Sequence, residues 1–192
     1  MLKFFKNDWF KCITVLLIIA VVLSGTLALL NDLLYVSSEE RTGRAIKKIY
    51  GEDKNFTIEL DVDRGDNAII YENVGSINKK YIVENDLLFQ VTGYNGYKNG
   101  TITLWVKVVK TSENKSIIDK VILESYDKQT LMSKFSDDYY KVFYVDVTNN
   151  YQTLFTPSEK TSDKYAPNTG ATMSATAACN AVNCVLLYMG EQ

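Results

Sequence analysis

The feature that most limits what this chain can become is an uncharged stretch near its N-terminus. Residues 12–30 read CITVLLIIAVVLSGTLALL, without one acidic or basic side chain. At ~1.5 Å rise per residue, such a run is roughly 28 Å long as a helix, close to the hydrocarbon thickness of a bilayer. Lys3, Lys6 and Lys11 precede it against a single Asp8, and Asp32 follows it. The positive-inside rule then puts the short N-terminal tail in the cytoplasm and everything after about residue 34 outside. A cleaved signal peptide competes with this reading, since Thr26, Leu27 and Ala28 make a tolerable cleavage site. The run exceeds the usual ~7–15 apolar residues of a signal peptide, which favours a retained anchor. A lipoprotein is excluded, because Thr26 stands where the lipidated cysteine would be required.

These assignments divide the 192 residues into a cytoplasmic tail (1–11), a transmembrane anchor (12–34), a juxtamembrane helix (35–52) and an extracytoplasmic domain (53–192). The net charge of −2 and the absence of any clustered Lys/Arg stripe argue against a nucleic-acid partner. Histidine is absent, which excludes His-based zinc sites, Ser-His-Asp triads and Cys-His nucleophiles. No phosphate-binding Walker loop or dinucleotide fingerprint is present either. Chemistry in such a chain has to come from a cofactor that the protein binds, orients and tunes. Cys179 and Cys184 lie on one expected helix, too far apart for a bridge that leaves the helix intact, and read as small packing residues.

The expected fold class is α+β: an N-terminal transmembrane helix, then a mainly antiparallel β-sheet domain with a packed C-terminal helix. Residues 37–51 carry a capping serine, Glu39 and Glu40 early, and Lys47 and Lys48 late, the charge order of an amphipathic helix. Its apolar face, Ala45, Ile46 and Ile49, is narrow. Phe56, Ile58, Leu60 and Val62 alternate with polar residues, predicting a strand, and a turn at residues 64–67 leads to a short strand at 68–71. Asp61, Asp63 and Asp66 lack the pattern of a calcium loop and read as a solvated edge and turn. Residues 80–92 and 101–110 form the next strand pair, joined by a loop whose three glycines and two asparagines suit left-handed backbone. A strand is expected from residue 117 to 124, and an aromatic-rich strand from 137 to 147. Residues 148–167 are polar and aperiodic. In the last helix, Ala175, Ala178, Val182, Val185, Leu186 and Met189 form a stripe to pack on the sheet, with Asn180, Asn183 and Cys184 on another side.

That helix is preceded by Asn168, Thr169, Gly170 and Ala171, and it opens at Thr172. A tight corner followed by small residues leaves the first N–H groups of the helix accessible, a geometry suited to an anion. Thr169, Gly170, Ala171 and Thr172, followed by Ser174 and then by Asn180, Ala181, Val182 and Asn183, resemble the flavin-attachment motif of the FMN-binding domain family. This family includes flavin subunits of Rnf-type electron-transport complexes and of sodium-pumping NADH:quinone oxidoreductases. Gly93, Tyr94, Asn95 and Gly96 are similar to a second family feature, a Gly-Tyr-x-Gly turn before an apolar strand. Thr130 matches the threonine of a loop that faces the flavin, though the proline and glycines of that loop are replaced here.

The resemblance implies FMN as cofactor, joined through a phosphoester at Thr172 or held without a covalent bond. Thr169, Gly170, Ala171 and Ser174 would shape the phosphate end, with Thr130 nearby. It also implies an electron carrier or redox-complex subunit rather than a stand-alone enzyme, anchored by one pass in the cell membrane. The implied partners are other membrane redox subunits and a flavin transferase. Ala166 occupies a position that is acidic in the family, six residues before Thr172. That difference and the altered loop around Thr130 support an alternative: an exported binding or scaffold module of the same fold without the flavin.

Overall fold

The computed structural model describes residues 8–34, 37–110, 116–145, 154–156 and 171–191. They form two compact units, divided between Arg41 and Thr42. The first contains helix α1 (Asp8–Leu34), whose residues 11–30 are exposed along their whole length. It is long and apolar enough to cross a membrane, as an anchor or a signal sequence is. Inside it, the Ser24 and Thr26 hydroxyls donate to the carbonyls of Ala20 and Val22, four residues back, so neither is left unpaired in an apolar setting.

The second unit is an antiparallel sheet with helices on both faces. Helix α2 spans Ser38–Tyr50, and β1 (Phe56–Asp61) and β2 (Ile69–Tyr71) follow. Then come β3 (Gly75–Val83), β4 (Asp86–Gly93), β5 (Ile102–Lys110) and β6 (Ser116–Tyr126), and finally α3 (Asp137–Tyr144) and α4 (Thr172–Gly190). The strand order is β1-β3-β4-β5-β6, with β2 also paired to β3. Each strand is a neighbour in sequence or nearly so, the arrangement that short hairpin connections allow. The expected α+β architecture is therefore the observed one.

Alternation sorts the side chains of β5. Ile102, Leu104, Val106 and Val108 face one core with α3 and α4, and Trp105 faces the other with α2. Two bulges change the faces of neighbouring strands. In β3, a shift in register between Ile77 and Lys79 turns Ile77 toward α4 but Tyr81 and Val83 toward α2. In β6, the irregularity opposite Lys107 and Val108 puts Ile118 and Val121 on the α4 face and Ile122 on the other.

Helix α2 starts where the Ser37 hydroxyl accepts from the Glu40 N–H at 3.1 Å. Its narrow apolar face enters a core. Ile46 and Ile49 are buried with Tyr81, Val83, Leu88, Trp105 and Ile122, which together make a second core layer. Lys120 holds the end of the helix by donating to the carbonyls of Lys48 and Ile49.

Three sequence expectations are corrected. The strand expected at 80–92 is two strands, β3 and β4, joined by a tight turn at Glu84 and Asn85, with Val83 opposite Asp86 and Glu84 at φ 58°. The strand expected from residue 137 is helix α3. Ser136 caps it by accepting from the Tyr139 N–H, Asp137 and Asp138 fill its first turn, and Tyr139, Tyr140, Phe143 and Tyr144 recur at helical spacing. The third concerns Asp61, which is buried rather than solvated: its carboxylate accepts from the Tyr81 hydroxyl at 2.7 Å and from the Asp63 N–H at 3.0 Å. Lys79 completes this knot, 3.4 Å from Asp61 and 2.7 Å from Asp63. Among the described residues, no group of His, Cys, Asp and Glu is arranged to hold a metal ion.

Candidate functional site

Helix α4 determines where the candidate residues lie. It crosses the sheet so closely that an added Cβ on Gly93 would stand 1.9 Å from the Ala177 carbonyl oxygen. One on Gly75 would stand 2.9 Å from the Cys184 sulfur. The small residues of α4 are thus explained in part by packing: Ala177, Ala181 and Cys184 let the helix backbone settle onto β3 and β4. Asn180 adds a hydrogen bond from its side-chain amide to the Tyr94 carbonyl at 3.0 Å. Of the expected stripe, Ala175, Ala178, Val182, Val185 and Leu186 are buried and Met189 is half-buried, so α4 is covered on more than one side. Asn183, expected on a side other than the stripe, is also buried. Its amide accepts from the Phe155 N–H at 2.8 Å and donates to the Phe155 carbonyl at 3.0 Å, as a neighbouring strand would. Phe155 in turn packs its ring against Tyr144, 5.2 Å between centroids.

The first turn of α4 gathers several of the expected site residues. Thr172 is its first residue and is exposed. Ala171, fully buried, is the N-cap and has no side chain that could accept from the first N–H groups. No acidic residue lies in the first turn. The dipole of the helix favours an anion at this end. Ser174 is buried, its hydroxyl 2.9 Å from the Gln129 side-chain oxygen and 3.5 Å from the Thr130 carbonyl. Thr130 itself is exposed. Ser174 and Thr130 are accordingly brought together where the chain leaving β6 meets the start of α4, and Thr172 lies two residues before Ser174 in the same turn. Thr169, Gly170 and Ala166 lie outside the described residues.

Sequence reasoning missed Gln129. Its side-chain oxygen accepts from the Tyr97 N–H at 3.0 Å and its nitrogen donates to the Asp127 carbonyl at 2.9 Å. This changes the reading of the preceding loop. The left-handed positions there belong to Asn95, Lys98 and Asn99, with φ of 64°, 51° and 56°, whereas Gly96 and Gly100 have ordinary negative φ. The two glycines are needed for space instead: a Cβ at either would stand 2.5 Å from the Gln129 nitrogen. Only an amide-bearing residue between two turns hints at such a role in the sequence, and its partners are distant along the chain.

The cysteines behave as expected. Cys179 and Cys184 are buried and unbridged, and burial pushes the Cys184 thiol up to about 12, which keeps it protonated and unreactive at neutral pH. The Tyr144 hydroxyl lies 3.2 Å from the Cys179 sulfur, and burial raises its pKa well above the usual tyrosine value.

A separate concavity of about 350 Å³ lies beside β6, between the end of α2 and α3. Lys48, Lys120, Lys141, Asp119, Asp137 and Asp138 contribute to its walls, and it shares none of the residues expected at the site. Its balance of cations and carboxylates expresses no preference for either sign of ligand. No family model matches the chain, and no curated protein or solved structure is significantly similar to it.

Proposed function

We propose that the chain is a membrane-anchored flavoprotein, with α1 as its single-pass anchor, its N-terminal tail in the cytoplasm and its sheet domain on the outer side. The domain holds FMN at the corner formed by the first turn of α4 and passes electrons between membrane redox partners, as a subunit of an Rnf- or Nqr-like complex. The observation that carries this reading is the exposed Thr172 at the start of a long helix of small residues, whose first turn meets the Thr130 carbonyl through Ser174. When bound, FMN supplies the redox chemistry. The residues of the chain bind and orient: the Thr172 hydroxyl and the first N–H groups of α4 suit the phosphate, and the Thr130 loop borders the same corner.

The test is expression of the full chain in membranes, with and without a co-expressed flavin transferase, followed by mass analysis of the peptide bearing Thr172. An FMN adduct that is lost in Thr172→Ala supports the covalent form. Without an adduct, FMN titration separates non-covalent binding from none. Saturation at about 100 times the Kd stabilises a protein by ~2.7 kcal/mol, which for a chain of this size raises the melting temperature by roughly 5–10 °C. A melting temperature indifferent to FMN sinks the proposal. It would favour instead a scaffold module that keeps the fold without a cofactor, a reading that Ala166 and the altered loop around Thr130 support.

A further inference from the structure

Gln129 lies under the turn formed by residues 96–100, and both ends of its carboxamide are engaged. The oxygen accepts from the Tyr97 N–H at 3.0 Å and from the Ser174 hydroxyl at 2.9 Å. The nitrogen donates to the Asp127 carbonyl at 2.9 Å and stands 3.5 Å from the Tyr97 carbonyl. A main-chain N–H can only donate and a main-chain carbonyl can only accept, so these partners fix which end of the amide is oxygen. The Ser174 hydroxyl is fixed in turn as a donor. Gly96 and Gly100 leave the space that the carboxamide fills, since a Cβ at either position would collide with it. One side chain thus ties together the 96–100 turn, the chain leaving β6 and the first turn of α4.

We propose that Gln129 is a positioning residue of the flavin site: acting through Ser174, it holds the first turn of α4, and with it the Thr172 hydroxyl, in fixed register with the 96–100 turn. This inference rests on the flavin reading above. A ligand that meets Thr172 then finds the helix start and the neighbouring turn already ordered, and does not spend affinity on ordering them. Glutamate cannot replace the amide cleanly, because it would set a carboxylate against the Asp127 and Tyr97 carbonyl oxygens that the Gln129 nitrogen now faces.

The experiment uses the full chain in detergent and measures the Kd for FMN by quenching of flavin fluorescence, with the melting temperature of each variant recorded alongside. Gln129→Leu should weaken FMN binding at least tenfold and Ser174→Ala at least threefold. Because both break one link, the double variant should bind within twofold of Gln129→Leu alone, short of the product of the two effects. A residue that served folding alone would lower the melting temperature without changing the Kd of the folded protein. Wild-type affinity in Gln129→Leu, or effects that multiply fully in the double variant, would overturn the proposal. Should Gln129→Leu not fold, Ser174→Ala breaks the same link and decides the matter: wild-type affinity there is the overturning result. Wild-type protein that neither carries an FMN adduct after co-expression with a flavin transferase nor binds FMN overturns the flavin reading and this inference with it. Wild-type binding with unaltered variants overturns only the role of Gln129.

Discussion

Asp61 illustrates how a single side chain can organise its surroundings. Its carboxylate is buried against Tyr81, Lys79 and the Asp63 N–H, and the Tyr81 hydroxyl lies 3.1 Å from that of Thr42 on α2. A buried charge is tolerated only when partners replace its lost hydration, and removing one partner leaves the others exposed to that cost. Asp61→Ala strands Lys79 with Asp63 alone and leaves the Tyr81 hydroxyl with Thr42. It should destabilise the protein by about 3 kcal/mol. Tyr81→Phe, which removes one hydroxyl from the same knot, should cost about 1 kcal/mol. Urea unfolding of the detergent-solubilised chain measures both, and equal losses for the two variants would contradict the buried-charge account. The acidic composition of residues 61–66 gave no sign of this, because their partner Lys79 lies on a different strand. Gln129 was hidden for the same reason: an amide acquires its meaning from the groups that surround it, and these come from residues 97, 127 and 174.

Among the elements, α4 and its glycine contacts matter most. Gly93→Ala would push a methyl group into the Ala177 carbonyl, so α4 must lift from β4, at a cost of about 3 kcal/mol or more. Gly43, within α2, has nothing within 4 Å of an added Cβ. Gly43→Ala should therefore stabilise by about 0.5–1 kcal/mol through helix propensity. Opposite signs of the two shifts in melting temperature are the expected outcome, and a neutral Gly93→Ala would refute the tight crossing. The elements themselves were unevenly legible. Strands β1 and β5 could be read because their residues alternate, and α4 because its apolar residues recur with helical period. Helix α3 looked like a strand because tyrosine, phenylalanine and valine favour strands, yet Ser136 followed by Asp137 and Asp138 was a capping signal that should have prevailed. The β3–β4 turn escaped notice because Glu84, rather than a glycine or asparagine, takes its left-handed position. At the site, the start of α4 at Thr172 was legible from the change to small residues, whereas its brace was not.

On the scale of the whole molecule, the α4 side of the sheet holds a core dense in buried acids that stay neutral. Burial raises the pKa of Tyr139, Tyr140 and Tyr144 and moves that of Cys184 from 9.0 to about 12. In the unfolded chain these groups ionise at ordinary values, about 9 to 10. The stability they confer is whole below that range and is lost as pH rises toward their folded values, at up to about 1.4 kcal/mol per pH unit for each group. Urea midpoints should fall steeply above about pH 9.5 in a manner that Cys184→Ala moderates, and a midpoint unchanged at about pH 11 would refute this. The architecture has a temporal side too. The helix that closes this core lies beyond every strand of the sheet in the chain. During synthesis Phe89, Val91, Leu104 and Val106 can find neighbours in the sheet yet lack their cover until residues 172–190 emerge. At ~5–20 residues per second, that interval after β6 is complete lasts roughly 3–13 s. For that time the nascent domain presents an open apolar sheet to whatever chaperone or neighbouring chain it meets.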